Sequence, residues 1–303
     1  RRALEARLRD FDVAHLHASF LWPPLAAARA AERAGKPYLF APRGMLVGEL
    51  LRRKSRLIKT AWIALFERRT LARAAAVHVT SDIERIEIER LGLTARGFLV
   101  APNGVEPPPV ETRDGPAPAR PYVLALGRIV WKKGLDRLVR AMARIEGADL
   151  VIAGEDDEDH AAALRALAVE CGLGPRLRLV GPTHGAGKWR LLRDCALLAL
   201  PSLSENFGNV ALEAMAVGAP VVVTPGVGLS QSIAAAGAGL VVDGSPDSLA
   251  AAIGALLADP ARRAAMGAAG RALAARDFSW PAVAEKVEAA YAQAIEESRR
   301  GEG

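Results

Sequence analysis

The 303 residues are enough for two domains, each with its own core. A hydrophobic share of 51% with 24% charged residues excludes a disordered chain, and no apolar run approaches the roughly 20 residues that span a bilayer. The net charge of +6 is lopsided: residues 1–106 hold 19 Lys and Arg against 11 Asp and Glu, which suits a phosphate-bearing substrate or an anionic lipid surface. Nucleic acid is not expected, because the basic part lacks the interleaved aromatics of a base-stacking platform. The two cysteines, Cys171 and Cys195, have no CxxC or His-rich spacing, so reduced thiols rather than structural zinc are expected. The chain starts Arg1-Arg2 with no methionine and no signal-peptide pattern, as a fragment or trimmed chain would.

In chain order, short apolar runs alternate with Ala/Leu/Arg-rich helical stretches. The first strand candidates are 12–17, 37–41, 76–80 and 97–101. A Pro/Gly-rich stretch from Pro102 to Pro121 then reads as an interdomain linker. The alternation restarts with strands near 121–126, 149–153, 177–181, 196–200, 220–224 and 239–242. Strands separated by helices need crossover connections, so each half should be a parallel sheet covered on both faces. The expected domains are 1–106 and 107–280, followed by a terminal helix over 281–300. Ser279 is placed to cap that helix, with Pro281 in its first turn. A basic amphipathic segment runs from Leu51 to Arg69, with Ile58, Trp62 and Leu65 at helical spacing. Core packing with a solvated basic rim is the expected reading, and an interfacial helix on an anionic membrane is the alternative.

Two constellations carry chemistry. Glu205 precedes a helix that runs to about Val217, with Gly218 at its C′ position. The start of that helix, at Gly208, Asn209 and Val210, offers unpaired N–H groups and a partial positive charge suited to phosphate. Glu205 and Glu213 beside such a site make sense if the ligand also carries hydroxyls, which carboxylates accept strongly. The plainer alternative has Glu205 capping the helix electrostatically and Glu213 pairing with an arginine. The second constellation is Leu126-Gly-Arg-Ile-Val-Trp-Lys-Lys-Gly-Leu-Asp136, in which Arg128 and Lys133 leave the carboxyl edge of a strand, as Glu205 does. They would neutralise a diphosphate, or else form a solvated basic loop. Among the early strands, Asp12-Val-Ala-His-Leu-His17 puts His15 and His17 on one face, with His17 nearest the carboxyl end. A histidine packed under a helix is the competing reading.

Gly127-Arg128…Lys133-Gly134 and Glu205-x7-Glu213, followed by Ala214-Met-Ala…Gly218-x-Pro220-Val, resemble the donor site of retaining family-4-type glycosyltransferases (glycosyl transferases group 1) of the GT-B fold. Pro102-Asn-Gly-Val105, Ala153-Gly154-Glu155 and Leu200-Pro-Ser202 extend the resemblance over nearly the whole chain. It implies an α/β architecture of two Rossmann-like domains facing a cleft, with the terminal helix free to cross back to the first. It also implies transfer of a hexose from a nucleotide diphosphate sugar to a hydroxyl acceptor, and the basic first half points to polysaccharide or lipid-linked glycan assembly.

By the resemblance, Arg128 and Lys133 hold the diphosphate and stabilise the leaving group. Glu205 accepts from hydroxyls of the transferred sugar, among the backbone amides of Phe207, Gly208 and Asn209, and Glu213 binds the ribose. The base lies near Gly154 and Gly181, His17 contacts donor sugar or acceptor, and Arg43 suits a phosphate. No metal and no cofactor are implied, and the acidic run Glu155–Glu158 reads as a solvated loop. A cytoplasmic protein, peripheral to the inner face of the membrane, is the matching location. The family's opening Gly-rich loop is absent, so the first domain is expected to be incomplete, and near Gln231 the family's pattern carries a glutamate. A non-catalytic nucleotide-sugar-binding or scaffold protein, and a GT-B-fold nucleotide-sugar epimerase, are the alternatives.

Overall fold

The structure, a computed structural model, describes residues 2–48, 51, 55–106, 118–156 and 159–301. Most of the proposed linker, residues 107–117, and residues 157–158 of the acidic run lie outside them. The chain divides into two compact units, one of Arg1–Asn103 with Pro281–Gly303 and the other of Gly104–Trp280.

The first unit carries strands β1 (Ala14–His17), β2 (Tyr38–Ala41), β3 (Ala76–Val79) and β4 (Phe98–Val100), in the order β1-β2-β3-β4. All pairings are parallel. Side chains alternate across the sheet. Leu16, Phe40, Val77 and Val79 face a core completed by Leu8, Ala30, Ala31, Leu71 and Ile88 from the flanking helices. His15 and His78 lie on the opposite face, where the terminal helix, Trp280–Gly301, brings Tyr291 against His15.

The basic segment folds as a helix over Arg56–Trp62, a π turn over Ile63–Glu67 and a helix over Arg68–Arg73. Residues 52–54 lie outside the described part. Core packing is not what its apolar face does: Leu57 is 85% exposed, Ile58 72% and Leu65 68%. The π turn adds a residue to the repeat and so rotates the following side chains. Glu67 is thereby turned inward, where it accepts the Phe20 N–H at 2.9 Å and the Trp62 Nε1–H at 3.1 Å. Burial pushes its carboxyl pKa up, against those two bonds.

The second unit holds β5 (Tyr122–Leu126), β6 (Asp149–Ala153), β7 (Leu177–Gly181), β8 (Leu197–Leu200), β9 (Val221–Val223) and β10 (Gly239–Val241). Their order is β10-β9-β8-β5-β6-β7, all parallel. The ten strands form where the apolar runs place them, shortened by a residue or two at some ends. Each face has its own core. Val123, Leu150, Ile152 and Leu197 meet the helix Leu135–Ala143 through Leu135, Leu138, Val139 and Met142, the i, i+3, i+4, i+7 stripe of an amphipathic helix. Leu124, Val151, Leu198 and Val221 meet the helix Asn209–Val217 through Ala211, Leu212, Ala214 and Met215. Full burial of one such leucine contributes about 2–3 kcal/mol, so both faces strongly oppose any slip in register.

Candidate active site

In the second unit, β6 and β7 extend to one side of β5, and β8, β9 and β10 to the other. The strand order therefore reverses between β5 and β8. Loops leaving the carboxyl ends of two such strands diverge, and ligands of open α/β sheets bind in the resulting crevice. Both constellations found in the sequence sit on those two loops.

After β5, Gly127, Arg128 and Ile129 lead to a 3₁₀ turn over Trp131–Lys133. Lys133 Nζ donates to Glu205 Oε2, with the two side chains only 14% and 20% exposed. Glu205 thus holds a lysine rather than capping the helix beyond it. Lys132 beside it is held below the usual lysine pKa by burial and by Lys133 and Arg128, with Glu205 opposing. The crevice at the strand ends is lined by Gly127, Arg128, Lys133, Leu200 and Pro201.

Several bonds fix the β8 loop. The Leu203 N–H donates to the Lys132 carbonyl at 2.8 Å, which ties the two loops together. Arg137 donates to the Pro201 carbonyl and Thr224 Oγ1 to the Ser202 carbonyl. The Glu205 N–H donates to the Gly226 carbonyl, and the Gly228 N–H returns to the Glu205 carbonyl, each at 2.9 Å. Glu205 is therefore clamped on both sides by its backbone while its carboxylate faces Lys133. Gly208, the N-cap residue, then turns the chain into the helix Asn209–Val217 at φ 99°. A Cβ at Gly208 would press on Val227, so this turn requires glycine.

Glu213, in that helix, pairs with Lys188 of the helix Gly185–Asp194 at 3.0 Å. The plainer alternative had an arginine there; the partner is a lysine whose Nζ lies 4.8 Å from the Trp189 ring centroid. Gly154 and Gly181 lie on the same strand edge. The Gly127 N–H donates to the Ala153 carbonyl at 2.9 Å, and the Gly154 N–H to the Gly181 carbonyl at 2.8 Å. Of the acidic run, Asp156 accepts the Ala161 N–H at the start of the next helix.

In the first unit, His17 ends β1 at the carboxyl edge and is exposed, whereas His15 is half-buried behind it. Arg43, in the loop after β2 at φ 56°, donates through Nε to His17 Nδ1 at 3.2 Å and through a terminal nitrogen to Asn103 Oδ1 at 3.2 Å. Burial and the Arg43 charge hold His17 below the ordinary histidine range, so the ring is neutral and accepts. The buried Glu84 anchors the loop by accepting the Gly44 N–H at 2.6 Å and the Thr80 N–H at 2.8 Å. Among the described residues no three His, Cys, Asp or Glu side chains converge to hold a metal ion.

Sequence reasoning did not find Lys188, Glu84, Glu67, His78 or Tyr291. Glu84 carries a local signal, since Ser81 three residues earlier caps its helix by accepting the Glu84 N–H. Lys188, His78 and Tyr291 are joined to their partners only by the tertiary fold, as Glu67 is to Phe20.

Two α/β units, each built on an all-parallel sheet, with the charged loops at a switch point, define a GT-B architecture. Residues 112–273 match the family Glycosyl transferases group 1, and residues 1–104 match the Glycosyl transferase 4-like domain. The chain belongs to the glycosyl transferases group 1 family. It is 30% identical to the D-inositol 3-phosphate glycosyltransferase of Stackebrandtia nassauensis, across 94% of this chain and 69% of that one. With the enzyme of the same description from Salinispora tropica it shares 35% identity over 60% of its length, and the match spans only 40% of that relative. Among solved structures it resembles sucrose-phosphate synthase from Thermosynechococcus elongatus, at 26% identity and a TM-score of 0.78, covering 98% of this chain and 77% of that one. Anabaena HepE in complex with UDP and glucose has the same fold, at 20% identity, a TM-score of 0.78 and coverage of 96% and 81%.

Proposed function

We propose that the protein is a retaining glycosyltransferase that moves a hexose from a nucleotide diphosphate sugar to a hydroxyl acceptor, with no resident cofactor. The observation that carries this reading is the Lys133–Glu205 pair at the switch point, on the crevice that Arg128 also lines. A diphosphate seated there meets Arg128, Lys133 and the amides of Gly208, Asn209 and Val210, which together stabilise the charge that develops on the leaving nucleoside diphosphate. Glu205 accepts from hydroxyls of the transferred sugar and Glu213 from those of the ribose, while Lys188 fixes the Glu213 carboxylate. The base is placed near Gly154 and Gly181, where the surface beside Gly181 is open. The C1–O bond to the diphosphate breaks as the acceptor oxygen bonds to C1 from the same face, and the acceptor proton passes to a donor phosphate oxygen. His17 contacts the donor sugar or the acceptor, and Arg43 a phosphate of either. An anionic acceptor, such as the D-inositol 3-phosphate in those relatives' names, would suit the basic residues 1–106.

Glu213→Ala separates this reading from a plain structural role. The Glu213–Lys188 pair is partly exposed, so its loss is expected to change stability by under about 1 kcal/mol. The nucleotide-dependent rise in melting temperature should nonetheless be lost in a screen of UDP-, GDP- and ADP-sugars. Single-turnover transfer measured beside binding tests the reaction itself. Binding without transfer would mark a donor-binding protein, and free sugar or epimer made without an acceptor would mark an epimerase.

A membrane-associated acceptor is part of the same proposal. Among the described residues no helix is long and apolar enough to cross a bilayer. Leu57, Ile58 and Leu65 are nevertheless exposed, as is Trp22 at 61%, which packs edge-on against Trp62 and Phe66. Arg29 lies over the Phe66 ring and Lys59 over Phe20, so cations border the apolar surface. Apolar side chains ringed by cations suit an anionic lipid interface. Flotation with phosphatidylglycerol vesicles should carry the protein up at low salt, progressively less as salt rises, and at least about tenfold less for Leu57→Glu/Ile58→Glu. Binding that ignores salt, or no binding, removes the membrane from the proposal.

A further inference from the structure

Behind His17 runs a chain of hydrogen bonds whose direction is fixed by its last member. His78 Nε2 lies 2.8 Å from the Ala101 carbonyl, which only accepts, so Nε2 carries the proton. In a neutral ring the other nitrogen then accepts, and His78 Nδ1 lies 3.1 Å from His15 Nε2. His15 is therefore also protonated on Nε2, and its Nδ1 accepts from the Tyr291 hydroxyl at 2.7 Å. Both rings are neutral because burial lowers their pKa values, that of His15 to about 3 with help from His17, His78 and Arg43. The order is thus Tyr291 to His15 to His78 to Ala101, with each member donating to the next.

The fold explains how residues so far apart in sequence meet. His15 on β1 and His78 on β3 flank β2, where Ala41, the partner of His17, is small enough to let imidazoles meet across it. Tyr291 comes from the terminal helix and meets His15 edge-on, with ring centroids 5.6 Å apart. His15 also lies against His17, with ring centroids 4.3 Å apart and planes tilted by 33°. His17 is in turn gripped by Arg43.

We propose that Tyr291 is a positioning residue for His17: its hydroxyl fixes the tautomer and the plane of His15, and His15 is the surface on which the sheet-edge His17 ring rests. The terminal helix thereby sets the geometry of a side chain that the proposed reaction uses at the opposite end of the sequence. The part concerning turnover rests on the glycosyltransferase reading; the part concerning ring geometry does not.

Tyr291→Phe tests it, because phenylalanine keeps the packing of the ring and removes only the donor. In ¹⁵N-resolved imidazole spectra of the wild-type chain without any sugar donor, His15 and His78 should both show the neutral Nε2–H pattern. In Tyr291→Phe the His15 Nδ1 resonance should move by the loss of its donor, and the His17 resonances should move with it. The kcat for transfer should fall about threefold to tenfold, the worth of one neutral hydrogen bond, with KM for the donor held. Wild-type rings that are charged or protonated on Nδ1 overturn the proposal, as do His17 resonances that do not move in the variant. If the wild type transfers no sugar at all, the glycosyltransferase reading fails, while the spectra still decide whether Tyr291 positions His17.

Discussion

Lys133→Ala should lower kcat/KM for sugar transfer by about a hundredfold to a thousandfold, with the far-ultraviolet circular dichroism unchanged. Its ammonium is the donor group closest to Glu205, and it leaves a tight turn beside the end of β5, where a leaving diphosphate would gather charge. Removing one preorganised donor from such a site typically has an effect of this size. A second loss adds to it: Glu205 would lose its ion-pair partner, and its less compensated charge would repel the diphosphate. Lys133→Arg should recover only part of the activity, since a planar guanidinium cannot occupy the place of a compact ammonium. Glu205→Gln should weaken transfer while largely preserving nucleotide affinity, because it removes a sugar contact and leaves the cations. A fall of less than tenfold for Lys133→Ala would place the reaction elsewhere.

Gly154→Ala carries the largest expected effect on stability. A Cβ there would fall onto the Gly127 carbonyl, at the point where the loops after β5 and β6 touch. The strand edge could relax only by breaking the rungs from Gly127 to Ala153 and from Gly154 to Gly181. Backbone strain and two disturbed hydrogen bonds together should reduce the unfolding free energy by about 2–4 kcal/mol, read as a lower urea midpoint at constant slope. The same shift would move Arg128 away from the crevice, so nucleotide affinity should fall alongside. A midpoint indistinguishable from wild type would mean that the two loops are not held as described.

The sequence made the sheets legible because a strand buried on both faces leaves an unbroken apolar run, as Asp149–Ala153 and Leu197–Leu200 do. It made the loops after β5 and β8 legible because their residue types are constrained locally. Gly208 must turn, Gly218 must close the helix at φ 81°, and Lys133 and Glu205 leave adjacent strand ends. The aromatic segment was misjudged for a reason of principle. Ile58, Trp62 and Leu65 repeat at helical spacing whether the stripe meets a core or water, and periodicity gives no sign of what covers it. The histidine chain was out of reach for another reason: His15 and Tyr291 are separated by 276 positions, and only the packing of the terminal helix joins them. Lys188 belongs to the same class, since its helix is brought to Glu213 by the sheet beneath both.

The central claim is that the crevice between the β5 and β8 loops binds the diphosphate of a nucleotide sugar. Isothermal titration of UDP, GDP and ADP into the wild-type chain and into Arg128→Ala/Lys133→Ala tests it most directly. At least one nucleoside diphosphate should bind the wild type, with affinity falling about a hundredfold or more in the double variant as two charge-assisted contacts are lost. Undiminished binding in the variant, or no binding of any of the three to the wild type, would contradict the assignment.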